Sequence, residues 1–283
     1  MTKRLLATVL ILLAMAASTA QAATSKDVEL SAIVEGTIVL APDGHVQDVV
    51  VPDAAKYGQP VVDMVRTTAL KWRFDPVVVD GQPVIAKSSM HARVVLKKNA
   101  AGDYVAWVRG ATFGDTDANN TSVVRASPAN LKLPPRFPAE ALHSKAEGRV
   151  YLALRIDRAG HVVDAVVEQV NLANTGPEAV LNRSRKAFAD ASLVAARRWS
   201  YMVPTTGKLA GRDNWTVRTS IRFFLRGAGM PKDGSAWAAY IPGPYTPAPW
   251  VDKPNAGAAD VLADDTVHTD GAGPALLTAL PQG

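Results

Sequence analysis

The sequence predicts an α+β fold made of two modules, each a small antiparallel sheet of about three strands with one or two helices packed on one face. Three observations carry this expectation. Apolar residues alternate on either side of turn glycines, which is strand–turn–strand patterning. Each such pair leads into a run with apolar residues three and four apart, ending in a tryptophan. The whole arrangement occurs twice in the chain, and an internal repeat is read before anything else because missing it mis-assigns the fold.

The repeat is visible residue by residue. Gly44-His45-Val46-Gln47-Asp48-Val49-Val50-Val51 matches Gly160-His161-Val162-Val163-Asp164-Ala165-Val166-Val167. Glu35-Gly36 and Glu147-Gly148 open the preceding strands. Trp72, followed by Phe74 and Pro76, answers Trp199, followed by Tyr201 and Pro204. Alternating strands close the copies at Leu96 and Leu225.

In the first copy, assigned to residues 23–98, Ile38 and Leu40 alternate with Thr37 and Val39. Pro42-Asp43-Gly44 supplies a turn, since proline fixes φ and glycine accepts positive φ. Parity changes between Val46 and Val49, which predicts a bulge. Val61, Met64, Val65, Thr68 and Trp72 read as one buried helix face behind Pro60, and Pro76 prevents continuation. Met90, Ala92, Val94 and Leu96 share one face of the last strand, with His91, Arg93 and Val95 on the other.

The second copy, residues 128–226, is fuller. Pro138 sits at a first helical turn, followed by Ala139-Glu140-Ala141-Leu142. Val150, Leu152, Leu154 and Ile156 form an inward strand face, with Arg149, Tyr151 and Arg155 outward. Phe188, Ala191, Ala195 and Trp199 repeat the helix face of the first copy. Val217, Thr219, Ile221, Phe223 and Leu225 point inward on the last strand, and Thr216, Arg218, Ser220, Arg222 and Phe224 outward.

Residues 99–127 read as a linker with one short strand over Tyr104–Val108. Residues 227–283, rich in Pro, Gly and Ala, read as a mostly disordered tail with polyproline character. Trp237, Tyr240, Tyr245 and Trp250 stand out in it, because aromatics without a core of their own need a surface to dock on, either here or on a partner.

Lys3 and Arg4, the apolar run Leu5–Ala17 and Ala20-Gln21-Ala22 read as a cleaved secretory signal over residues 1–22, which places the mature chain in the periplasm. The alternative is an uncleaved inner-membrane anchor, but a span needs roughly 20 apolar residues and Ser18, Thr19 and Gln21 interrupt this one. The formal charge of +5 falls to +3 without Lys3 and Arg4, and the basic residues form no stripe, so no nucleic-acid partner is expected. With no cysteine there are no disulfides, thiolate metal sites or thiol nucleophiles.

The ordered series Pro135-x-Phe137-Pro138, Gly148-x-Val150, Asp157 with Gly160, and Ala196-x-x-Trp199 resembles the C-terminal domain of TonB-family proteins. The likeness covers about Pro134 to Leu225 well and Glu35 to Leu96 loosely, where Gly36, Gly44, Trp72 and Pro76 hold the corresponding places. The resemblance implies that Pro135, Phe137, Pro138, Gly148, Asp157, Gly160, Trp199 and Pro204 are structural. It also implies a last strand left as an open edge, Thr216, Arg218, Ser220, Arg222 and Phe224, against which an extended peptide or edge strand of an outer-membrane or periplasmic protein pairs. A second copy of the chain is an alternative occupant. A transducer needs an anchor and a spacer before the domain, whereas here the first copy stands in that place and the proline-rich stretch follows. The expected function is therefore a non-enzymatic periplasmic binding module, with a membrane-anchored energy transducer as the alternative.

Candidate chemistry is sparse. His45 and His161 occupy equivalent turn positions and read as exposed strand ends rather than a metal pair, for lack of further ligands at coordination spacing. Asp157 and Asp164 could be drawn as paired carboxylates, but a turn explains Asp157. No nucleophile elbow or phosphate-cradling glycine loop is present. No catalytic residue, metal or small-molecule cofactor is expected. Arg218 and Arg222 read first as solvated charges on an edge strand, and second as peptide contacts.

Overall fold

The computed structural model describes residues 28–114, 119–225, 237–251, 259–262 and 266–280. The expected secretory signal, residues 1–22, lies outside these residues. Among the described residues no helix is long and apolar enough to cross a membrane.

The fold is mixed α+β with several antiparallel sheets. Strand β1 (Glu29–Leu40) pairs with β2 (Val46–Val50), and the helices α1 (Ala54–Tyr57) and α2 (Gln59–Ala69) follow. A small hairpin, β3 (Val78–Val79) and β4 (Gln82–Pro83), leads into the long strands β5 (Ala86–Lys98) and β6 (Tyr104–Gly114). Then come β7 (Arg125–Ala126), a 3₁₀ turn over Pro128–Lys132, α3 (Ala139–His143), β8 (Gly148–Asp157) and β9 (Val162–Leu172). Helix α4 (Glu178–Ala196), β10 (Tyr201–Met202) and β11 (Asn214–Phe223) complete the second copy, and β12 (Ala238–Tyr240) and β13 (Val267–Thr269) belong to the tail. The first sheet has the order β12-β1-β5-β6, with β2 also on β1, and the second has the order β13-β11-β8-β9.

The two copies use the same local hydrogen bonds. Gly44 N–H donates to Ala41 O and Phe74 N–H to Gly44 O, both at 2.9 Å. Gly160 N–H donates to Asp157 O at 3.0 Å and Tyr201 N–H to Gly160 O at 2.8 Å. Both glycines have positive φ, 83° and 82°, and a Cβ on either would overlap the carbonyl oxygen of Phe74 or Tyr201. Each helix closes with a tightened turn: Trp72 N–H reaches Ala69 O at 3.0 Å and Trp199 N–H reaches Ala196 O at 3.1 Å. The expected bulge is present, since Leu40 faces Val46 while Val39 faces Asp48.

Several expectations are corrected. The segment 99–127 is not a linker with one short strand. β6 pairs with β5 from Lys98↔Tyr104 to Ser89↔Gly114, and its Phe113 meets Trp72 and Phe74 edge-on at 5.5 and 4.8 Å, inside the first core. Nor is the described part of the tail disordered. β12 pairs with β1, β13 with β11, and Ile241 bridges Leu172, so the tail completes sheet edges whose main-chain groups need partners. The fully buried residues of α2 are Val62, Val65 and Ala69, whereas the expected Val61 and Met64 pack against the same core half-buried and Thr68 is half-buried too. Trp72 lies beyond the helix end, so extrapolating the helical period to it rotated the expected face. The outward residues Tyr151, Arg93 and Val95 are buried, because the second face of each sheet is also covered. The tail's 3₁₀ turn Ala259–Val261 packs against β5, β6, β8 and β9.

That covered space holds charge. Arg93, 4 % exposed, donates to Ser31 Oγ at 2.6 Å and to the Tyr151 hydroxyl at 3.1 Å, and bonds the Asp260 carbonyl. Arg109 pairs with Glu29 at 2.6 Å, and the Tyr240 hydroxyl donates to Glu29 at 3.0 Å. Buried charges persist only when paired and hydrogen-bonded in this way.

Candidate functional site

The chain segment before α3 folds back along β11 because its polar groups clamp it there. β7 pairs with β10, Tyr201↔Ala126. Asn130 grips Ser200 twice, its Nδ2 donating to Ser200 O and its Oδ1 accepting from Ser200 N–H, each at 2.9 Å. Ser127 Oγ caps the 3₁₀ turn by accepting from Ala129 N–H at 3.3 Å. Trp199 Nε1 donates to Leu133 O at 3.0 Å. The wall so fixed carries Leu131, Pro134 and Pro135.

Between this wall and β11 runs a groove of about 600 Å³. Its other side is Thr219 to Phe224, and Val267 of β13 lies at one end. Phe137 stands edge-on to Phe188 and Phe223, with ring centres 5.7 and 5.8 Å away, and Phe188 stacks on Phe223 at 4.6 Å. Leu131 is 87 % exposed at the rim. Among the described residues the lining contains Arg222 and no carboxylate. Burial raises the Tyr201 hydroxyl well above its ordinary pKa, so it remains a neutral donor.

The expected binding edge is only partly open. β8 holds one side of β11 from Asn214 to Phe223. On the other side β13 holds Val217, Arg218 and Thr219, and the described ladder ends there. Asp270 N–H donates to Thr216 O at 2.9 Å, which fixes the parity: Thr216, Arg218 and Ser220 aim their main-chain groups toward this outer side. Trp250 Nε1 donates to the Thr216 hydroxyl at 3.2 Å. Ser220, Arg222 and Phe224 lie along the groove, with the Arg222 guanidinium 5.9 Å from the Phe224 ring centre.

Arg218 is not a solvated charge. It is 6 % exposed and donates from Nε to Glu168 Oε2 at 2.8 Å and from Nη1 to Asp270 Oδ1. Burial works against its charge, but the Glu168 hydrogen bond and the field of Asp270 and Glu168 outweigh it and hold the guanidinium above its ordinary pKa. Sequence pattern alone missed this because Glu168 and Asp270 lie 50 and 52 residues away.

The remaining positions lie in turns, caps and close backbone approaches. Pro138 is the N-cap of α3 and Pro204 is buried. A Cβ at Gly36 or Gly148 would meet Val50 O at 2.6 Å or Asn171 O at 2.5 Å. Trp72 is buried, and Pro76 is exposed after the helix end. Asp157 Oδ1 accepts from His161 N–H at 2.8 Å in the turn, whereas Asp164 pairs with Arg155, so the two carboxylates serve separate partners. His45 and His161 both sit beside their turn aspartates. Among the described residues no three His, Cys, Asp or Glu side chains converge to hold a metal.

The tail aromatics dock on this chain. Trp237 Nε1 donates to Tyr57 O at 3.3 Å, and Tyr245 packs beside Tyr151 and Leu262. Burial pushes the Tyr245 hydroxyl up to about 12. No protein-family model, curated protein or solved structure matches the chain.

Proposed function

We propose that this chain is a non-enzymatic, periplasmic binding module made of two TonB C-terminal-like units, and that an extended segment of an envelope protein docks along β11. The observation that carries this reading is the groove between β11 and the wall at Leu131–Pro135. Pro135, Phe137 and Trp199, which carry the family resemblance, line it, so the likeness and the cavity coincide. The hydrogen bonds shared around Gly44 and Gly160 support the two-unit reading.

The physical basis is strand addition. A β-edge gives main-chain hydrogen bonds and a neighbouring apolar groove takes alternate side chains. Ser220 turns its main chain to the outer side, just past the end of the β13 ladder. A prolyl ring there removes that donor while leaving the β8 ladder intact.

The test is selection of peptides from a displayed random library on the full chain, followed by titration. Ser220→Pro and Leu131→Asp are each expected to weaken selected peptides at least tenfold while the melting temperature stays close to that of the parent. Parental affinity in both folded variants overturns the proposal. Mass spectrometry of the secreted chain tests location, with a first residue at Ala23 expected.

A further inference from the structure

The edge proposed for docking already carries a strand of this chain, and that strand is short. Among the described residues β13 pairs Val267, His268 and Thr269, antiparallel to Thr219, Arg218 and Val217. Isolated three-residue pairing is weak, so side chains hold it. The Thr269 hydroxyl, buried, accepts from Val124 N–H at 3.0 Å. Asp270 completes the coordination of Arg218, whose other carboxylate, Glu168, belongs to β9. Thr219 Oγ1 donates to Thr266 O at 3.1 Å, and Val267 touches the groove's end.

These contacts define a recognition pattern. The receptor side is Thr216 to Thr219 on β11, the Val124 main chain, and a buried guanidinium with only one carboxylate from its own sheet. The incoming side is a β-branched residue, any residue, a threonine and then an acid, with Asp270 N–H closing on Thr216 O at 2.9 Å. An antiparallel visitor in the place of β13, continued past the position of Val267, would run along Ser220 toward Phe223, into the groove.

We infer that β13 is the resident stand-in for the partner strand, and that the partner is an antiparallel segment carrying Val-x-Thr-Asp-like chemistry that takes this edge in its place and continues into the groove. The inference rests on the binding reading above and adds the partner's sequence class and orientation. A tethered strand competes at an effective concentration in the millimolar range. A visiting segment displaces it by adding main-chain pairing past the end of the described β13 ladder, from Ser220 onward, and burial against the wall.

The probe is a fluorescein-labelled peptide of residues 262–271, titrated by anisotropy against full-chain protein. His268→Pro removes the N–H that β13 presents to Arg218 O and should raise probe affinity at least tenfold over the parent. Asp270→Asn, which loosens the same strand by charge, should act in the same direction. Alanine at the Asp270 position of the probe should cost at least tenfold. The chain has no cysteine, so Thr219→Cys with Val267→Cys places one pair across a non-hydrogen-bonded register position with disulfide-compatible spacing. Oxidation should abolish probe binding and reduction should restore it. Natively folded His268→Pro and Asp270→Asn proteins with parental probe affinity overturn the inference, as does indifference to the probe's acid. If library-selected peptides bind oxidised and reduced protein equally, β13 is a permanent strand and this inference alone falls. If no form binds either kind of peptide, the binding reading falls with it.

Discussion

The Arg93 guanidinium donates to the Tyr151 hydroxyl at 3.1 Å, joining β5 of the first sheet to β8 of the second. The same guanidinium bonds the Asp260 carbonyl, so one buried cation ties both sheets to the tail. Removing one member of such a set leaves the others desolvated and uncompensated, whereas replacing opposite charges together by apolar groups is often neutral. Arg93→Met is therefore expected to destabilise the protein by ~3–5 kcal/mol in urea denaturation. Adding Asp260→Leu should recover most of that loss, because Arg109 retains Glu29 at 2.6 Å. A double variant as unstable as the single would show that packing, not charge, dominates at this junction.

The repeated turn makes a second prediction. Gly44, Gly160 and Gly81 all have positive φ, but nothing lies within 4 Å of a Cβ at Gly81. Gly81→Ala should therefore cost only the left-handed penalty, about 1 kcal/mol. Gly44→Ala and Gly160→Ala must also displace the carbonyls of Phe74 and Tyr201, which accounts for a loss more than twice as large. Equal losses at all three sites in thermal melts would rule out the close approach as the reason for glycine.

Acid should loosen the tail. Burial lowers the pKa of His91 on β5 below 6.5, against the opposing field of Glu35 on β1. Burial also lowers that of His268 on β13, opposed by Asp270 and reinforced by Arg218 and His91. A histidine whose folded pKa is depressed binds fewer protons when folded than when unfolded. Its stability contribution is intact above about 6.5 and falls as pH drops through that value. The melting temperature should fall by a few degrees between pH 7.5 and 5.5, and amide exchange should accelerate first around Val267–Thr269. His268→Gln should flatten the dependence, and an unchanged slope would place the acid sensitivity elsewhere.

What could be read from the sequence was local. The alternation of Val150, Leu152, Leu154 and Ile156 and the turn at Gly160 depend on neighbours in the chain, and all four side chains are fully buried. β6 was hidden because its register shifts between Val108 and Gly110, opposite Val94 and Arg93. The extra residue, Arg109, breaks the period of two, so the alternation stops at Val108 although the strand reaches Gly114. β12 and β13 carry too few residues for any period, and they are strands only because distant edges receive them. The groove was half legible: Pro135, Phe137 and Trp199 stood out as a series, but nothing local showed that Asn130 and Ser200 would clamp them beside β11.

That clamp leads to the last prediction. The wall is held at one end by Asn130 on Ser200 and at the other by Trp199 Nε1 on Leu133 O. Trp199→Phe keeps an aromatic ring against the core but deletes the indole donor, which should cost about 1 kcal/mol of stability. Asn130→Ala removes both bonds to Ser200 and should cost a similar amount. For peptide binding, a wall fixed at either end still offers much of its surface, while a wall released at both must be reordered by the ligand. Each single variant should therefore weaken a selected peptide only a few-fold, and the double variant by clearly more than the product of the two. Additive losses in the double-mutant cycle would mean that the two anchors act independently and that the groove does not depend on a pre-set wall.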